Sequence, residues 1–364
     1  MELKTPLYDC HVAAGGKIIP FAGYLLPIQY QAGLIREHMA VRTACGMFDV
    51  SHMGEVILKG PDALKNVQLL VTNDCGNMVD GQVKYSPMCN ESGGVVDDVL
   101  VYRIDENCFM LVVNAANREK DIMWMKSHVG GDVQLMDISD SIGQIAVQGP
   151  ASPEVMKAVM ADEDRPKKYY TFTKEARIAG KTCLVSRTGY TGEMGYEIYC
   201  AAKDAPAIWD ALLEAGADKG LTPCGLGARD TLRMEASMPL YGHEMDETVT
   251  PLEADLDIFV KLEKEGFIGK SALVQAGAPK RRRVGFAVTG RGIARERCDA
   301  YVNGEKVGVV TSGTHCPYLN APMGMALIQS EHAVVGTKLE IDVRGRKIPA
   351  QVVPLPLYKK PAKK

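Results

Sequence analysis

The sequence lacks several features that would assign it to a membrane, secreted or metal-binding class. It contains no window of 18 uncharged apolar residues, so no segment is expected to cross a membrane as a helix. The first residues show neither the apolar core of a signal peptide nor the Arg-rich pattern of a transit peptide. The ten cysteines include no C-x-x-C pair, which argues against a structural zinc site and against a small disulfide scaffold. We therefore expect a cytoplasmic protein with reduced core cysteines.

The chain also lacks a strong excess of either charge. Its net charge is −3 and its basic residues cluster only in short runs, so nucleic acid is not an expected partner. Apolar residues make up 46% and charged residues 24% of the chain, as in an ordinary globular protein. A length of 364 residues exceeds one typical core, and we expect more than one domain.

Two glycine-containing segments fall short of nucleotide-binding motifs. One contains Gly225 and Gly227 but places Asp230 where a dinucleotide loop needs its third glycine, and no clear parallel strand leads into it. The other, at residues 267–271, ends in Gly-Lys-Ser, but Lys264 occupies the position of the earlier glycine of a phosphate loop. The sequence therefore argues against NAD and against a P-loop nucleotide as ligands.

Two adjacent carboxylates lie inside an otherwise apolar stretch at residues 95–102. The two glycines before it predict a turn, and the β-branched residues that follow predict a strand. Because strand side chains alternate, Asp97 and Asp98 must point to opposite faces. If both faces are covered, one carboxylate is buried among Val and Leu and needs a donor, which a ligand could provide. The alternative is that the two acids cap a helix or pair with a surface Lys.

The order of the expected elements indicates an α+β fold. The strand, turn, strand, helix order over residues 83–128 predicts antiparallel strands beside helices. From residue 281 to 358, short β-branched runs alternate with glycine turns, which predicts a small all-β barrel or sandwich. The basic run at residues 280–283 is interpreted as a solvated linker. Asn114, where a strand passes to a helix, is a candidate N-cap.

Two further segments are irregular in a way that suggests a site. Residues 47–55 mix Phe, Asp, His and Met without a simple period, which is typical of a lining segment, although a buried turn with a hydrogen-bonded His52 explains it equally well. Residues 187–197 contain three glycines, which let a backbone approach a neighbour closely, or form a plain wide hairpin.

Five segments in the same order along the chain together resemble the aminomethyltransferase family of the glycine cleavage system, the T proteins. The resemblance covers nearly the whole chain and does not rest on one motif. The segments are Met-Phe-Asp-Val-Ser-His-Met-Gly-Glu at 47–55, the glycine and aspartate pairs within 93–98, Val-Asn-Ala-Ala-Asn at 113–117, Ser-Arg-Thr-Gly-Tyr-Thr-Gly-Glu at 186–193, and Gly-Leu-Gly-Ala-Arg-Asp followed by Leu-Arg-Met-Glu-Ala within 225–236.

The resemblance implies an α+β fold with three domains in a cloverleaf around a central folate channel. The first domain would combine residues 1–50 and 140–279, the second would span 51–139, and the third, a β barrel or sandwich, would span 280–364. The family transfers the methylene of an aminomethyl group on the lipoyl arm of the H protein to tetrahydrofolate, giving 5,10-methylenetetrahydrofolate, ammonia and dihydrolipoyl H protein. Tetrahydrofolate would be a co-substrate, lipoylated H protein the partner, and the chain a monomer without metal.

The resemblance also carries over functional positions, residue by residue. The family's key acid falls on Asp98, and two folate contacts fall on Glu197 and Arg229. The other pocket positions are Tyr85, Asn114, Tyr190, Met53, Tyr241 and, at the C-terminal end, Tyr358. We expect Asp98, Glu197 and Arg229 to converge around one ligand-sized cavity.

The residue types suit the chemistry of a folate. A pterin is a flat ring edged with donors and acceptors, so Glu197 and Asn114 suit its edge, and Met53 and Tyr190 suit its faces. The glutamate tail carries carboxylates, to which the guanidinium of Arg229 can donate paired hydrogen bonds.

Asp98 would have one of two roles on this interpretation. It would orient a folate nitrogen and favour the positive charge that develops as this nitrogen attacks the aminomethyl carbon, or it would assist proton movement to the departing ammonia. Two other functional classes fit the same sequence. A related folate enzyme would demethylate a different small donor, and a non-catalytic folate-binding maintenance protein would carry a K-G-C-Y-x-G-Q-type motif, which is not found here.

Overall fold

A computed structural model describes residues 2–360 of the chain. These residues divide into two compact units, and the division passes through strands and one helix. The first unit contains the residues up to Leu70, Asp74–Ser86 and Val99–Asp230, and the second contains Val71–Asn73, Pro87–Asp98 and the residues from Thr231 onward. The three domain boundaries expected from the sequence stay a prediction.

Helices and strands are mostly short and alternate along the chain. The helices are α1 (Tyr8–Ala13), α2 (Leu34–Thr43), α3 (Ala63–Leu70), α4 (Arg118–His128), α5 (Ser152–Val159), α6 (Ala205–Gly216), α7 (Leu226–Glu235) and α8 (Lys270–Ala276). The strands up to α7 are β1 (Leu3–Lys4), β2 (Lys17–Phe21), β3 (Tyr24–Gln29), β4 (Cys45–Asp49), β5 (Gly54–Lys59), β6 (Val83–Cys89), β7 (Val95–Asp105), β8 (Cys108–Val113), β9 (Gln134–Asp137), β10 (Ile142–Gln148), β11 (Phe172–Ile178), β12 (Lys181–Ser186), β13 (Gly195–Ala201) and β14 (Leu221–Pro223). Those after α8 are β15 (Arg281–Val288), β16 (Asp299–Val302), β17 (Glu305–Cys316), β18 (Ala321–Gln329), β19 (Lys338–Val343) and β20 (Arg346–Val353). Among the residues that the structure describes, no helix is both long and apolar enough to span a bilayer.

The strands up to α7 form three sheets. Their strand orders are β1-β3-β2, β11-β12-β13-β10-β4-β14 and β6-β7-β8-β5-β9. Most neighbours are antiparallel, whereas β14 pairs with β4 and β1 pairs with β3 in parallel. Helices accompany these sheets without the regular crossovers of a doubly wound fold, so the α+β prediction is confirmed.

The core of the first unit lies between the six-stranded sheet and helices α5 and α6. Alternate residues of β10, Ile145 and Val147, point into this core, as the period of a strand requires. Trp209 of α6 is 1% exposed and packs in the same cluster with Met156 of α5. Each such side chain contributes about 1.5–3 kcal/mol by leaving water. This layer fixes β13, the strand that carries Glu197.

The irregular segment at residues 47–55 consists of two strand ends and a turn. Strand β4 ends at Asp49, and β5 begins at Gly54. Between them, the amide of Met53 donates to the carbonyl of Val50 at 3.0 Å. No single period describes the segment, because it passes from one sheet to another.

The last six strands of the second unit close into a barrel. Their order is β15-β18-β17-β16-β19-β20. Side chains alternate along each strand, and those that face inward fill the interior of the barrel. They include Phe286, Val310, Ile328 and Ile341, all at most 1% exposed. The prediction of a small C-terminal β domain is confirmed, and closure removes the free strand edges that a sandwich would leave.

The basic run at residues 280–283 is not a linker, so that interpretation was wrong. Arg283 lies in β15, is 6% exposed, and donates from Nη1 to the carbonyl of Ser237 at 2.9 Å. Arg281 pairs with Glu253 at 2.8 Å. A run of like charges resembles a linker in sequence, but strand alternation turns one of its members inward.

Candidate functional site

Glu197 is a buried carboxylate in the middle of β13. It is 7% exposed and faces Ala146 of β10 and Ser186 of β12 in the register of the sheet. The hydroxyl of Thr188 donates to its Oε2. The amide of Gln144 donates from Nε2 to its Oε1 at 3.3 Å. Two neutral donors therefore hold the carboxylate in a fixed orientation.

A cluster of hydroxyl groups supports these donors. Tyr199 Oη lies 3.0 Å from Gln144 Nε2 and 2.9 Å from Tyr102 Oη. Tyr102 Oη lies 3.1 Å from Ser186 Oγ, which in turn lies 2.6 Å from Thr188 Oγ1. A connected and buried polar network of this kind restricts the rotamers of its members.

The surroundings of Glu197 shift the pKa of its carboxyl group. Burial raises its pKa above the ordinary Glu value, while the Thr188 hydroxyl, the charge of Arg229 and the Gln144 amide each lower it. The net effect is a raised pKa. A neighbouring acid, Glu55, is 1% exposed, and burial raises its pKa well above 4.5. Perturbed carboxyls of this kind are typical of functional sites.

Arg229 supplies the positive charge near Glu197. It belongs to α7, and its guanidinium lies over the ring of Tyr190, 4.8 Å from the centroid. This cation–π contact holds the guanidinium against the ring of Tyr190. Burial and the nearby charge of Arg229 lower the pKa of His52 to about 4, so His52 is neutral at pH 7. His52 packs edge-on against the rings of Phe21 and Tyr24.

Two of the three glycines at residues 187–197 make room for a side chain of the protein itself. A Cβ at Gly189 would lie 2.1 Å from Gln148 Oε1, and a Cβ at Gly195 would lie 2.2 Å from Gln148 Nε2. Gln148 also donates to the carbonyl of Thr188 at 3.2 Å and accepts from Thr191 Oγ1 at 2.9 Å. The segment therefore folds around Gln148, and this places Thr188 against the buried carboxylate.

The glycines at the start of α7 serve close packing. A Cβ at Gly225 would lie 2.4 Å from the backbone carbon of Ile28 in β3, and a Cβ at Gly227 would lie 2.6 Å from Leu34. The buried carboxylate of Glu37 accepts from the amide of Gly225 at 2.9 Å. These contacts fix the helix that carries Arg229, and they explain the glycines without a dinucleotide.

Three other predicted pocket residues of the first unit lie on separate elements. Met53, half-buried, packs against the apolar cluster that contains Tyr102 and Tyr199. Tyr85 is half-buried in β6. Asn114 is at the N-cap position of a 3-10 helix at Ala115–Asn117, as the sequence predicted, but its side chain makes no capping hydrogen bond to that helix. Met53 is thus shown near the Glu197 network, whereas the positions of the other two residues establish no role.

Asp98 belongs to the second unit, in the first part of β7. Asp97 is fully buried, as expected for at least one of the two acids if both faces are covered, and Asp98 is half-buried. The turn before them needs its glycines: Gly93 has a φ of 86°, and a Cβ at Gly94 would lie 1.8 Å from the carbonyl oxygen of Glu247. This contact fixes the start of the strand that carries Asp98.

Tyr241 and Tyr358 also belong to the second unit. Tyr358 is 5% exposed, its ring packs edge-on against Tyr318 at 5.3 Å, and its amide donates to the carbonyl of Glu235 at 2.7 Å. Tyr241 is half-buried in a loop and pairs through its backbone with Met245. Tyr358 is thus anchored at the C-terminal end of α7, whereas the contact of Tyr241 is made by its backbone.

Family comparisons agree with this arrangement of elements. Residues 7–264 match the family described as the GCVT N-terminal domain, and residues 281–359 match the glycine cleavage T-protein C-terminal barrel domain. The chain belongs to the glycine cleavage T-protein family. A T-protein relative from Halalkalibacterium halodurans, named aminomethyltransferase, is 47% identical over 98% of both chains. Another from Caldanaerobacter subterraneus subsp. tengcongensis is 48% identical over 99% of this chain and 97% of its own length.

A solved T-protein structure gives the same result in three dimensions. The crystal structure of the glycine cleavage system aminomethyltransferase T from Bartonella henselae aligns with a TM-score of 0.91 and 32% identity, and the alignment covers 100% of both chains. The resemblance found in the sequence is therefore confirmed, and the chain is an aminomethyltransferase of this family.

In the first unit, the structure brings Glu197, Arg229 and Tyr190 together. The convergence of Asp98 with them stays a prediction. The sequence interpretation missed Gln144 and Thr188, the two donors to Glu197. Gln144 carried a signal, because an amide inside the apolar strand run Gln-Ile-Ala-Val needs a buried partner. Among residues 2–360, no group of three or more His, Cys, Asp and Glu is arranged to hold a metal.

Proposed function

We propose that the chain transfers the methylene of an aminomethyl group from the lipoyl arm of the H protein to tetrahydrofolate. The folate nitrogens form two new bonds to the methylene carbon, whose bonds to nitrogen and sulfur break. The two hydrogens that leave the folate nitrogens end on ammonia and on the lipoyl thiol. The products are 5,10-methylenetetrahydrofolate, ammonia and dihydrolipoyl H protein. Membership of the family supports the reaction class.

The observation that carries the folate assignment is the buried carboxylate of Glu197. Thr188 and Gln144 orient it from the protein side. A pterin presents two adjacent N–H donors at its pyrimidine edge, and a carboxylate accepts such a pair in a bidentate manner. An acid whose burial raises its pKa gains most from a ligand that supplies donors, because the ligand replaces the lost water.

Other side chains would complete the folate site. Arg229, which lies over the ring of Tyr190, is suited to the carboxylates of the glutamate tail. Met53 offers a polarizable apolar surface for the pterin face. We propose Tyr85 and Asn114 as further folate contacts of the first unit.

Asp98 is the proposed catalytic acid of the second unit, with Tyr241 and Tyr358 as folate contacts. On a strand whose start is fixed by Gly94, its carboxylate would hydrogen-bond a folate nitrogen and stabilise the positive charge that forms during attack. Tetrahydrofolate and the lipoyl sulfur carry the reactive groups, so the role of the chain is to bind, orient and stabilise charge.

The reaction is tested by supplying each substrate separately. Purified protein is mixed with aminomethylated lipoyl H protein, and ammonia release and methylenetetrahydrofolate are measured with and without tetrahydrofolate. We expect stoichiometric formation of both products only when both substrates are present. Rapid demethylation of a free methylated amine or sulfur compound, with no turnover of H protein, would replace the proposal by the related demethylase reaction.

A further inference from the structure

The loop that carries Tyr241 is held by the side chain of one buried acid, Glu244. Its Oε2 accepts a hydrogen bond from the amide of Leu240 at 3.0 Å. Its amide donates to the carbonyl of the same Leu240, also at 3.0 Å. On the other side of Tyr241, the amide of Gly242 donates to the carbonyl of Met245 at 2.8 Å. The backbone before and after Tyr241 is therefore fixed. Glu244 provides two of the contacts to Leu240, whose carbonyl also accepts from the amide of His243 at 3.1 Å.

Glu244 is itself held by a buried arginine. Its carboxylate lies 2.8 Å from Nη1 of Arg233, and the two side chains are 0% and 3% exposed, respectively. The Nη2 of Arg233 donates to Ser312 Oγ of β17 at 2.9 Å. A continuous series of contacts thus runs from the barrel strand through Arg233 and Glu244 to Leu240, next to Tyr241.

The burial of this ion pair needs a reason other than stability. Removing two charges from water costs several kcal/mol, and a buried pair is often no more stable than apolar residues of the same size. What the pair supplies is geometry, because a planar guanidinium and a carboxylate fix each other's orientation. The group whose position follows from that geometry is the short loop around Tyr241.

Arg233 belongs to the last turn of α7, and this C-terminal end of the helix also holds the C-terminal segment of the chain. Ser237 Oγ accepts from the amide of Leu357 at 2.9 Å, and the carbonyl of Glu235 accepts from the amide of Tyr358 at 2.7 Å. The carboxylate of Glu235 accepts from the amide of Tyr318, whose ring packs against Tyr358. Both folate positions proposed for the second unit therefore depend on a few residues at one helix end.

We infer that Arg233 and Glu244 are positioning residues that hold Tyr241 in the conformation required for tetrahydrofolate binding. The inference rests on the proposed function, since it assigns Tyr241 a contact with folate. Neither residue touches the ligand in this inference. Their effect passes through the backbone of Leu240, and it should therefore disappear when the Tyr241 side chain is removed.

A double-mutant cycle tests this dependence. Tetrahydrofolate is titrated into the parent, Glu244→Gln, Tyr241→Ala and the double variant, and kcat is measured with saturating folate. We expect Glu244→Gln to raise the Kd of folate about fivefold with little change in kcat, and to have no further effect in the Tyr241→Ala background. Asp257→Asn, which removes the partly exposed partner of Arg282, is the matched control and should leave the Kd unchanged.

The remaining outcomes are separable. An equal rise in Kd from Glu244→Gln in both backgrounds would overturn the inference, and so would a Tyr241→Ala variant with the parent Kd. In either case, weaker binding by Glu197→Gln would leave the proposed function intact. A parent protein that does not bind tetrahydrofolate would reject both. If Glu244→Gln does not fold, Ser312→Ala removes only the far hydroxyl of the series and should give a smaller rise in the same direction, again only when Tyr241 is present.

Discussion

Replacing Glu197 with Gln removes one charge from the buried carboxylate and keeps its size. The parent carboxylate accepts from Thr188 and Gln144 and lies near the charge of Arg229. A pterin bound to the variant would lose a charge-assisted hydrogen bond, a loss of about 2 kcal/mol. That difference corresponds to a rise in the Kd of tetrahydrofolate of about thirtyfold.

The same substitution should not weaken the fold. Because burial raises the pKa of Glu197, the ionised carboxylate destabilises the folded state at neutral pH relative to the unfolded chain, where the group ionises more easily. Glu197→Gln removes this cost, so we expect a melting temperature at pH 7.5 equal to or above that of the parent. Folate binding and folding are thus expected to change in opposite directions.

The assay is a calorimetric titration with tetrahydrofolate, followed by single turnover at saturating folate. Glu154→Gln is the matched control, because it removes a carboxylate of α5 that is 60% exposed and paired with Lys157. It should bind folate as the parent does. A Glu197→Gln protein whose Kd lies within twofold of the parent value would refute the pterin-edge assignment, and an equal loss in the control would show a general charge effect.

Three further outcomes follow from the structure. Asp98→Asn should bind tetrahydrofolate nearly as well as the parent but lose most single-turnover rate, because the amide keeps size and loses charge; full turnover would make the acid structural. Glu55→Gln should raise the melting temperature relative to the parent, and this difference should grow as the pH rises above 4.5. The reason is that the pKa of Glu55 is raised in the folded state, so the parent loses stability over that range. Melting curves from pH 4 to 8 measure the difference, and a difference that stays constant with pH would contradict the raised pKa. Gly94→Ala should destabilise by about 1–3 kcal/mol in urea unfolding, because its Cβ would overlap the carbonyl of Glu247, whereas Gly130→Ala, with open space around it, serves as the control and should differ little.

Local sequence patterns were sufficient for the fold class. Glycine turns between β-branched runs predicted the C-terminal β domain, because turn geometry and strand period are properties of neighbouring residues. Strand alternation likewise predicted that Asp97 and Asp98 point to opposite faces and that at least one of them is buried if both faces are covered, and Asp97 is fully buried. Ordered motifs along the chain indicated the family.

The contacts that define the site depended on tertiary structure. Gln144 and Glu197 are separated by 53 positions, and only the antiparallel register of β10 and β13 brings them together. The burial of Arg283 was likewise hidden, because a basic run looks solvated until its strand is placed in a closed barrel. Local preferences act over a few residues, whereas sheet register and the covering of a face are set by segments far apart in the chain. The sequence by itself therefore determined which residues were available, and the packing of distant strands decided which of them meet.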